Sequence, residues 1–281
     1  MYDAFFVKSD FFKRIYIEEE FHREKVTFEN ISPVEGIEIY NDHCLDVLRQ
    51  FGHDTFDGAV TSPPYYNAKE YCQWPNIYCY LHDMYKINRE VYRVLKPGGI
   101  YLFNLFDCFD NENSVVFSDM GKKRLILSGY ALHAFKKIGF EIQGNIVWFK
   151  GEIQGKRNFN QGNFSPYYQA PLNSYEHIFV LGKQTTRHDD LPQLLCKKPV
   201  AKIIKGENVV GHEAPFPEAI PELLFDILGE KANYVLDPFG GTMTTSRVAI
   251  KKGARSVCIE KDSWYCQRAI AQLRKEVPQL L

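Results

Sequence analysis

The sequence predicts an α/β chain built on one mostly parallel β-sheet with helices on both faces. Three observations carry that prediction. Tyr234-Val235-Leu236 is a strand-like apolar run that leads through Asp237-Pro238-Phe239-Gly240-Gly241-Thr242 into a helical pattern including Val248, Ala249 and Ile250. Strand, glycine turn and helix in that order set backbone N–H groups and a helix N-terminus at the carboxyl edge of a sheet. Phe56-Asp57-Gly58-Ala59-Val60 reads as a second short buried strand, stopped by Pro63 and Pro64. Around these two, strand-like and helix-like stretches alternate, which is the pattern of parallel crossovers.

In chain order, residues 1–35 are rich in aromatic and charged side chains without a clean period. They are expected to form an N-terminal extension packed on one domain that spans 36–281. Ile37-Glu38-Ile39-Tyr40 alternates as a strand does, Asn41 to Cys44 turn the chain, and Cys44-Leu45-Asp46-Val47-Leu48 begins a short helix. Tyr66 to Tyr80 is polar and aromatic, too irregular for an element, and sits where a lid over a cleft would be. Tyr85, Ile87, Val91, Val94 and Leu95 fall close to one helical face, and Lys96-Pro97-Gly98-Gly99 ends that helix before the strand Ile100-Tyr101-Leu102-Phe103. A helix is predicted over 124–138, a strand from Phe140 to Phe149, and its antiparallel partner from Tyr175 to Leu181. Ile220, Leu223, Leu224, Ile227 and Leu228 mark an apolar helix face. Ser256 to Glu260 reads as a strand ending in an acid, and Trp264 to Lys275 as a closing helix.

At 45% hydrophobic and 25% charged residues the composition is that of a globular protein. No run approaches the roughly eighteen apolar residues that would span a membrane, so no membrane partner is expected. The start, Met1-Tyr2-Asp3-Ala4, runs into charge rather than a signal-peptide core, which points to the cytoplasm. Seven cysteines include no Cys-x-x-Cys pair and no His at zinc spacing; they read as reduced thiols, and no metal is expected.

A net charge of −1 excludes a uniformly basic chain, but positive charge is concentrated locally, with nine Lys and Arg against four acids between 150 and 205. Inside that region, Gly151 to Asn173 carries Lys156, Arg157, Asn158, Asn160 and Gln161 with little apolar material. Arg, Asn and Gln can read base edges bidentately, and Lys and Arg bind phosphate. A loop of this length inside a compact domain suggests a function; the alternative is a surface loop that closes a cleft without touching bases. Residues 184–208, with Lys197 and Lys198, form a second candidate recognition insertion.

The turn Thr61-Ser62-Pro63-Pro64-Tyr65 is chemically distinctive. Two prolines fix two φ angles and donate no N–H, so the chain leaves its strand in one stiff conformation with carbonyls unused by any ladder. With the Ser62 hydroxyl, those carbonyls can accept hydrogen bonds from an amino group on a planar ring while Tyr65 stacks on the ring face. A stiff turn with no such task is the competing reading of the tetrapeptide alone.

Together, the Ser62-Pro63-Pro64-Tyr65 turn and the Asp237 to Thr245 loop resemble the amino-group DNA methyltransferases, which act on cytosine N4 or adenine N6. That family combines a Ser/Asp-Pro-Pro-Tyr turn with an Asp-Pro-Phe-x-Gly-Ser-Gly-Thr-Thr cofactor loop. The catalytic segment comes first here, as in the β-type members, and the resemblance covers roughly residues 36–275. It implies a circularly permuted Rossmann-like methyltransferase fold, with a mostly parallel seven-stranded sheet, one antiparallel strand, and Ile37–Tyr40 beside the strand that ends at Glu260. It implies S-adenosyl-L-methionine as cofactor, double-stranded DNA as substrate, a cognate restriction endonuclease as a candidate partner, and a monomer or homodimer.

Carried over residue by residue, the resemblance places Asp237, Phe239, Gly240, Gly241, Thr242 and Thr244 around the cofactor's methionine portion. Glu260, an acid at a strand tip about 20 residues past the glycine turn, is placed to accept from ribose hydroxyls. His212, Phe216 and Pro217 fall in the motif that lines the methionine pocket, and Asp42 is a candidate adenine contact because His43 occupies the aligned acidic position. Ser62 and the Pro63 carbonyl accept from the exocyclic amine, Pro64 stiffens the turn, and Tyr65 stacks on the extruded base. A serine at the first position mostly marks cytosine-N4 enzymes and an aspartate adenine-N6 enzymes. Cytosine N4 is therefore expected, with adenine N6 as the alternative; an RNA methyltransferase and a catalytically silent DNA-binding relative are the alternatives of other classes. The chain has no Pro-Cys dipeptide, so covalent attack on a base is not expected. One departure stands out: Met243 replaces the family's second glycine, and a methionine there is expected to resist positive φ and to add a side chain near the cofactor.

Overall fold

The structure, a computed structural model, describes residues 30–66, 74, 77–109, 124–125, 127–149, 175–184, 200–202 and 217–280. Its main sheet has nine strands. From one edge to the other they are β1 (Asn30–Ile31), β2 (Ile37–Tyr40), β11 (Arg255–Ile259), β10 (Tyr234–Asp237), β3 (Phe56–Thr61), β4 (Leu95–Leu105), β8 (Tyr175–Gly182), β7 (Glu141–Phe149) and β9 (Val200–Lys202). From β2 to β4 neighbouring strands are parallel, and β8 runs antiparallel between β4 and β7. The expected seven strands are therefore present with their single reversal. The additions are at the edges, where β1 pairs antiparallel with β2 and β9 pairs parallel with β7.

The permuted order is visible in one pairing. β11, close to the end of the chain, lies parallel to β2, with Cys258 opposite Ile39 and Ile259 opposite Tyr40. Helices α1 (Cys44–Leu48), α2 (Ile77–Val94) and α3 (Leu127–Ile138) cover one face, and α4 (Ala219–Leu228), α5 (Thr244–Lys251) and α6 (Ser263–Leu280) cover the other. Strand β4 shows how the sequence serves both layers. Tyr101, Phe103 and Leu105 pack with Val91 and Phe135 on one side, while Ile100 and Leu102 pack with Leu224 and Val248 on the other. That period of two makes a strand buried on both faces read as a continuous apolar run.

Three local expectations change. The Lys96 to Gly99 segment belongs to β4 rather than preceding it: the register with β3 passes from Phe56 opposite Leu95 directly to Gly58 opposite Ile100, so these residues loop out within the strand. The helix predicted from 124 begins at Leu127, because Arg124–Leu125 forms β6, paired with β5 (Cys108–Phe109). Ile77 to Tyr80 is the first turn of α2, and Tyr66 and Tyr80 are buried with ring centroids 5.7 Å apart. Tyr66, Ile77 and Tyr80 are core instead of lid; 67–73 and 75–76 lie outside the described residues. Among the described residues, no helix is long and apolar enough to cross a membrane.

Candidate active site

The strands that carry the predicted functional residues meet at one edge of the sheet. β3 ends at Thr61, before Ser62, β10 ends at Asp237, and β11 ends at Ile259, before Glu260. Because β8 is reversed, its first residues, Tyr175, Glu176 and His177, lie at that same edge, opposite Leu105 at the end of β4 and Phe149 at the end of β7.

The turn after β10, the expected cofactor side, is held by backbone N–H groups and two threonine hydroxyls. Asp237 is 2% exposed; one carboxylate oxygen accepts from the Thr61 hydroxyl (2.8 Å) and the Phe239 N–H (3.1 Å), the other from the Thr245 hydroxyl (2.6 Å). Burial lifts its pKa to about 6 against the pull of those donors. Asp237 thus ties β10, β3 and α5 together beneath the turn. The Gly240 N–H donates to the Ile259 carbonyl at 2.7 Å, and a Cβ on Gly240 would stand 3.0 Å from Cys258 Cβ, so the turn lies flush against β11. Gly241, at φ +50°, donates its N–H to Glu260 Oε2 at 2.9 Å, and the Asp262 N–H donates to Oε1 at 2.7 Å. Burial raises the pKa of Glu260 against those two bonds. Each of its oxygens keeps a lone pair, and a doubly accepting carboxylate at a strand tip fits a ribose diol.

Contrary to expectation, Met243 does not resist positive φ. Its backbone adopts φ +58°, ψ +34° as the residue before α5, and its side chain is fully buried in the core, the sulfur 3.1 Å from where a Cβ on Gly240 would stand. The left-handed conformation costs about 1–2 kcal/mol, and burying the thioether chain, worth about 1.5–3 kcal/mol, offsets it. Arg247, 9% exposed, braces the turn from behind: Nη2 donates to the Thr242 carbonyl (3.1 Å), Nη1 reaches Thr244 Oγ1 (3.4 Å), and Nε pairs with Glu276 (2.7 Å). Thr242 and Thr244 hydroxyls lie 3.1 Å apart. Pro217 is buried just before α4, and its carbonyl accepts from the Ile220 N–H. Asp42 accepts from the His43 N–H at 2.6 Å, and His43 Nδ1 accepts from Leu45 N–H, so the histidine serves as the N-cap of α1.

The turn after β3, the expected catalytic side, is held by side chains. Ser62 Oγ and Tyr65 Oη are 3.0 Å apart. The Tyr65 hydroxyl also lies 3.0 Å from Glu176 Oε2 and 3.3 Å from Asn104 Oδ1, and its ring packs on Phe106 at 4.6 Å. Burial, then the Glu176 charge, holds the Tyr65 phenol well above its ordinary pKa, with the Ser62 hydrogen bond opposing. Asn104 is oriented by its Nδ2 donating to the His177 carbonyl (3.0 Å). His177 stacks on Phe179, with Nδ1 3.1 Å from Asn145 Nδ2 and Nε2 3.8 Å from Asp107 Oδ2. Burial alone would raise the Asp107 carboxyl, but His177 and the Ser128 N–H outweigh it and leave its pKa lowered.

Sequence reasoning missed Asn104, Asp107, Glu176 and His177. A signal for Glu176 did exist: it is an acid near the start of an apolar strand predicted to run antiparallel, and such a start lies at the carboxyl edge. Of the predicted residues, Ser62 and Tyr65 come together, as do Asp237, Gly240, Gly241, Thr242, Thr244 and Glu260. His212, Phe216, Lys156, Arg157, Asn158, Asn160, Gln161, Lys197 and Lys198 lie outside the described residues.

A permuted, mostly parallel sheet with an acid-tipped strand beside a glycine turn, and a second stiff turn alongside it, defines the class of Rossmann-like methyltransferases. A family profile described as DNA methylase, covering the N6 and N4 enzymes, matches residues 56–272, and the chain belongs to that family. Type II beta methyltransferase M.BslI of Bacillus sp. (strain NEB-606) is 41% identical over 270 residues, 91% of this chain. M.MwoI of Methanothermobacter wolfeii, a Type II methyltransferase, is 29% identical over 226 residues, 78% of this chain. The chain spans 30% of the length of each of these two relatives. Among solved structures, TTHA0409 of Thermus thermophilus superposes with a TM-score of 0.60 at 25% identity, over 87% of this chain and 97% of that one. TTHA0409 has also been solved in complex with S-adenosyl-L-methionine. In this chain the Glu260 carboxylate and the flush Gly240 turn fit that cofactor.

Proposed function

We propose that the protein is a DNA methyltransferase that moves a methyl group from S-adenosyl-L-methionine to the exocyclic N4 of a flipped-out cytosine. The observation that carries the reading is the meeting of two sites on one sheet edge: an acid-tipped cofactor turn and a stiff Ser-Pro-Pro-Tyr turn whose hydroxyls are hydrogen-bonded into place. Bound at Glu260 and the turn after Asp237, the cofactor supplies an electrophilic methyl group on a positively charged sulfur. The chain's own residues do the rest by orientation and polarisation. Ser62 Oγ and the Pro63 carbonyl accept hydrogen bonds from the exocyclic amine, which weakens delocalisation of its lone pair into the ring. Tyr65, anchored through its hydroxyl, stacks on the base. Extrusion of the base is required because its amino group cannot be reached inside the stack.

Ser62, in place of an aspartate, supports cytosine N4 over adenine N6. We further assign residues 36–281 to the catalytic domain, 1–35 to an N-terminal extension, and 151–173 and 184–208 to DNA recognition. Lys156, Arg157, Asn158, Asn160, Gln161, Lys197 and Lys198 are placed there against DNA, and His212 and Phe216 against the methionine end of the cofactor. A cytoplasmic location accords with the free thiols of Cys44, Cys258 and Cys266. A matching restriction endonuclease is the proposed partner of such an enzyme.

The test is incubation with S-adenosyl-L-methionine and unmethylated genomic DNA, digestion to nucleosides, and mass spectrometry of the products. N4-methylcytosine is expected. N6-methyladenine would overturn the base assignment while keeping the reaction class, and the absence of any methylated nucleoside would overturn the enzyme reading.

A further inference from the structure

The geometry points to Glu176 as the terminal proton acceptor of the reaction, reached through Tyr65 and Ser62. The inference rests on the functional reading above. Ser62 Oγ, Tyr65 Oη and Glu176 Oε2 form a continuous chain with both links at 3.0 Å. Glu176 is 5% exposed and projects from the start of β8, the reversed strand, at the sheet edge that also carries the Ser-Pro-Pro-Tyr turn. A carboxylate taken this far out of water is costly unless hydrogen-bonded, and a merely structural acceptor for Tyr65 was already present. Asn104 Oδ1 lies 3.3 Å from the same hydroxyl, fixed by the Asn104 amide bond to the His177 carbonyl. The shorter contact to Glu176 directs the Tyr65 proton toward the charged group.

The proton balance closes on these three residues. As the amino nitrogen lone pair becomes the new N–CH3 bond and the S–CH3 bond breaks, nitrogen acquires a positive charge and one surplus proton. That proton passes to Ser62 Oγ, the Ser62 proton passes to Tyr65 Oη, and the Tyr65 proton passes to the Glu176 carboxylate. The base is left neutral and methylated, both hydroxyls are restored, and the carboxyl is protonated until product leaves and water takes the proton away. Glu176 acts through the two hydroxyls and does not touch the base, so it is a positioning residue for the proton and not a contact for substrate.

The test compares single-turnover methyl transfer with binding. Glu176→Gln is isosteric and still accepts the Tyr65 hydrogen bond, but it cannot take the proton. It is expected to slow transfer about 100-fold, the scale of one general base, while the calorimetric Kd for S-adenosyl-L-methionine and the Kd for duplex DNA stay within about twofold of wild type. Glu176→Ala with added formate, a carboxylate small enough for the vacated space, is expected to recover at least about tenfold of the loss. Transfer by Glu176→Gln within about threefold of wild type, parallel loss of both binding constants, or an alanine variant indifferent to formate would each overturn the proton route. Wild-type enzyme that makes no methylated nucleoside would instead overturn the functional reading, and the route with it.

Discussion

The two halves of the site are made in different ways. The half expected to hold the cofactor is mostly local: Asp237, Gly240, Gly241, Thr242, Arg247 and Glu260 belong to one strand–turn–helix–strand passage, and backbone N–H groups make many of its bonds, beside the Thr61 and Thr245 hydroxyls and the Arg247 guanidinium. The catalytic half is assembled across the chain. Ser62, Tyr65, Asn104, Asp107, Glu176 and His177 come from three strands and the turns after them, and their bonds join side chain to side chain or to distant backbone. A backbone-built site depends on conformation, whereas a side-chain network depends on each partner's chemistry. Substitutions should therefore separate binding from transfer.

The largest separation is expected at Ser62→Ala. Losing the acceptor for the exocyclic amine should cut single-turnover transfer by about 10²–10³-fold and leave the calorimetric Kd for the cofactor unchanged. Glu260→Ala should do the converse, raising that Kd by about 10–100-fold through the loss of charge-assisted bonds worth roughly 1.5–3 kcal/mol. Saturating cofactor should then restore most of its rate.

Met243→Gly sharpens the comparison because two effects compete. Relief of the left-handed backbone returns about 1–2 kcal/mol, while emptying a fully buried methionine site costs about 2–5 kcal/mol. Denaturant melts should show net destabilisation of about 2 kcal/mol, even though glycine is the family's residue at this position.

The smallest effect is a pH slope. Asp237 has a folded pKa of about 6, raised from 3.8. Between those values the folded protein holds a proton that the unfolded chain has released, so this group's contribution to stability falls as pH rises through that window and is flat above it. Asp237→Asn should remove that slope in thermal melts taken from pH 4 to 7, with the three native donors of Asp237 partly reoriented.

The same contrast explains what could be read in advance. The individual strands and helices, the reversal at Tyr175 and the glycine turn were legible because they follow from apolar periodicity, glycine and proline, whose effects act over a few residues; the permuted strand order came from the resemblance to the amino-group DNA methyltransferases. The Ser62-Pro63-Pro64-Tyr65 turn was legible as a stiff acceptor corner. The inward anchoring of the Tyr65 hydroxyl was not, because it depends on Glu176, 111 residues away, reaching the edge on a reversed strand. The behaviour of Met243 escaped for a related reason. Its backbone preference argued against positive φ, and only the tertiary core that receives its side chain compensates. The edge strands β1 and β9, of two and three residues, are too short to leave a periodic signal.

The most direct test of this division is a crystal structure with S-adenosylhomocysteine bound. The ribose hydroxyls should lie within hydrogen-bond distance of the Glu260 carboxylate, with the sulfur facing Ser62 and the Ser62–Tyr65–Glu176 chain intact. A ligand seated away from Glu260, or one whose sulfur faces away from Ser62, would contradict the account.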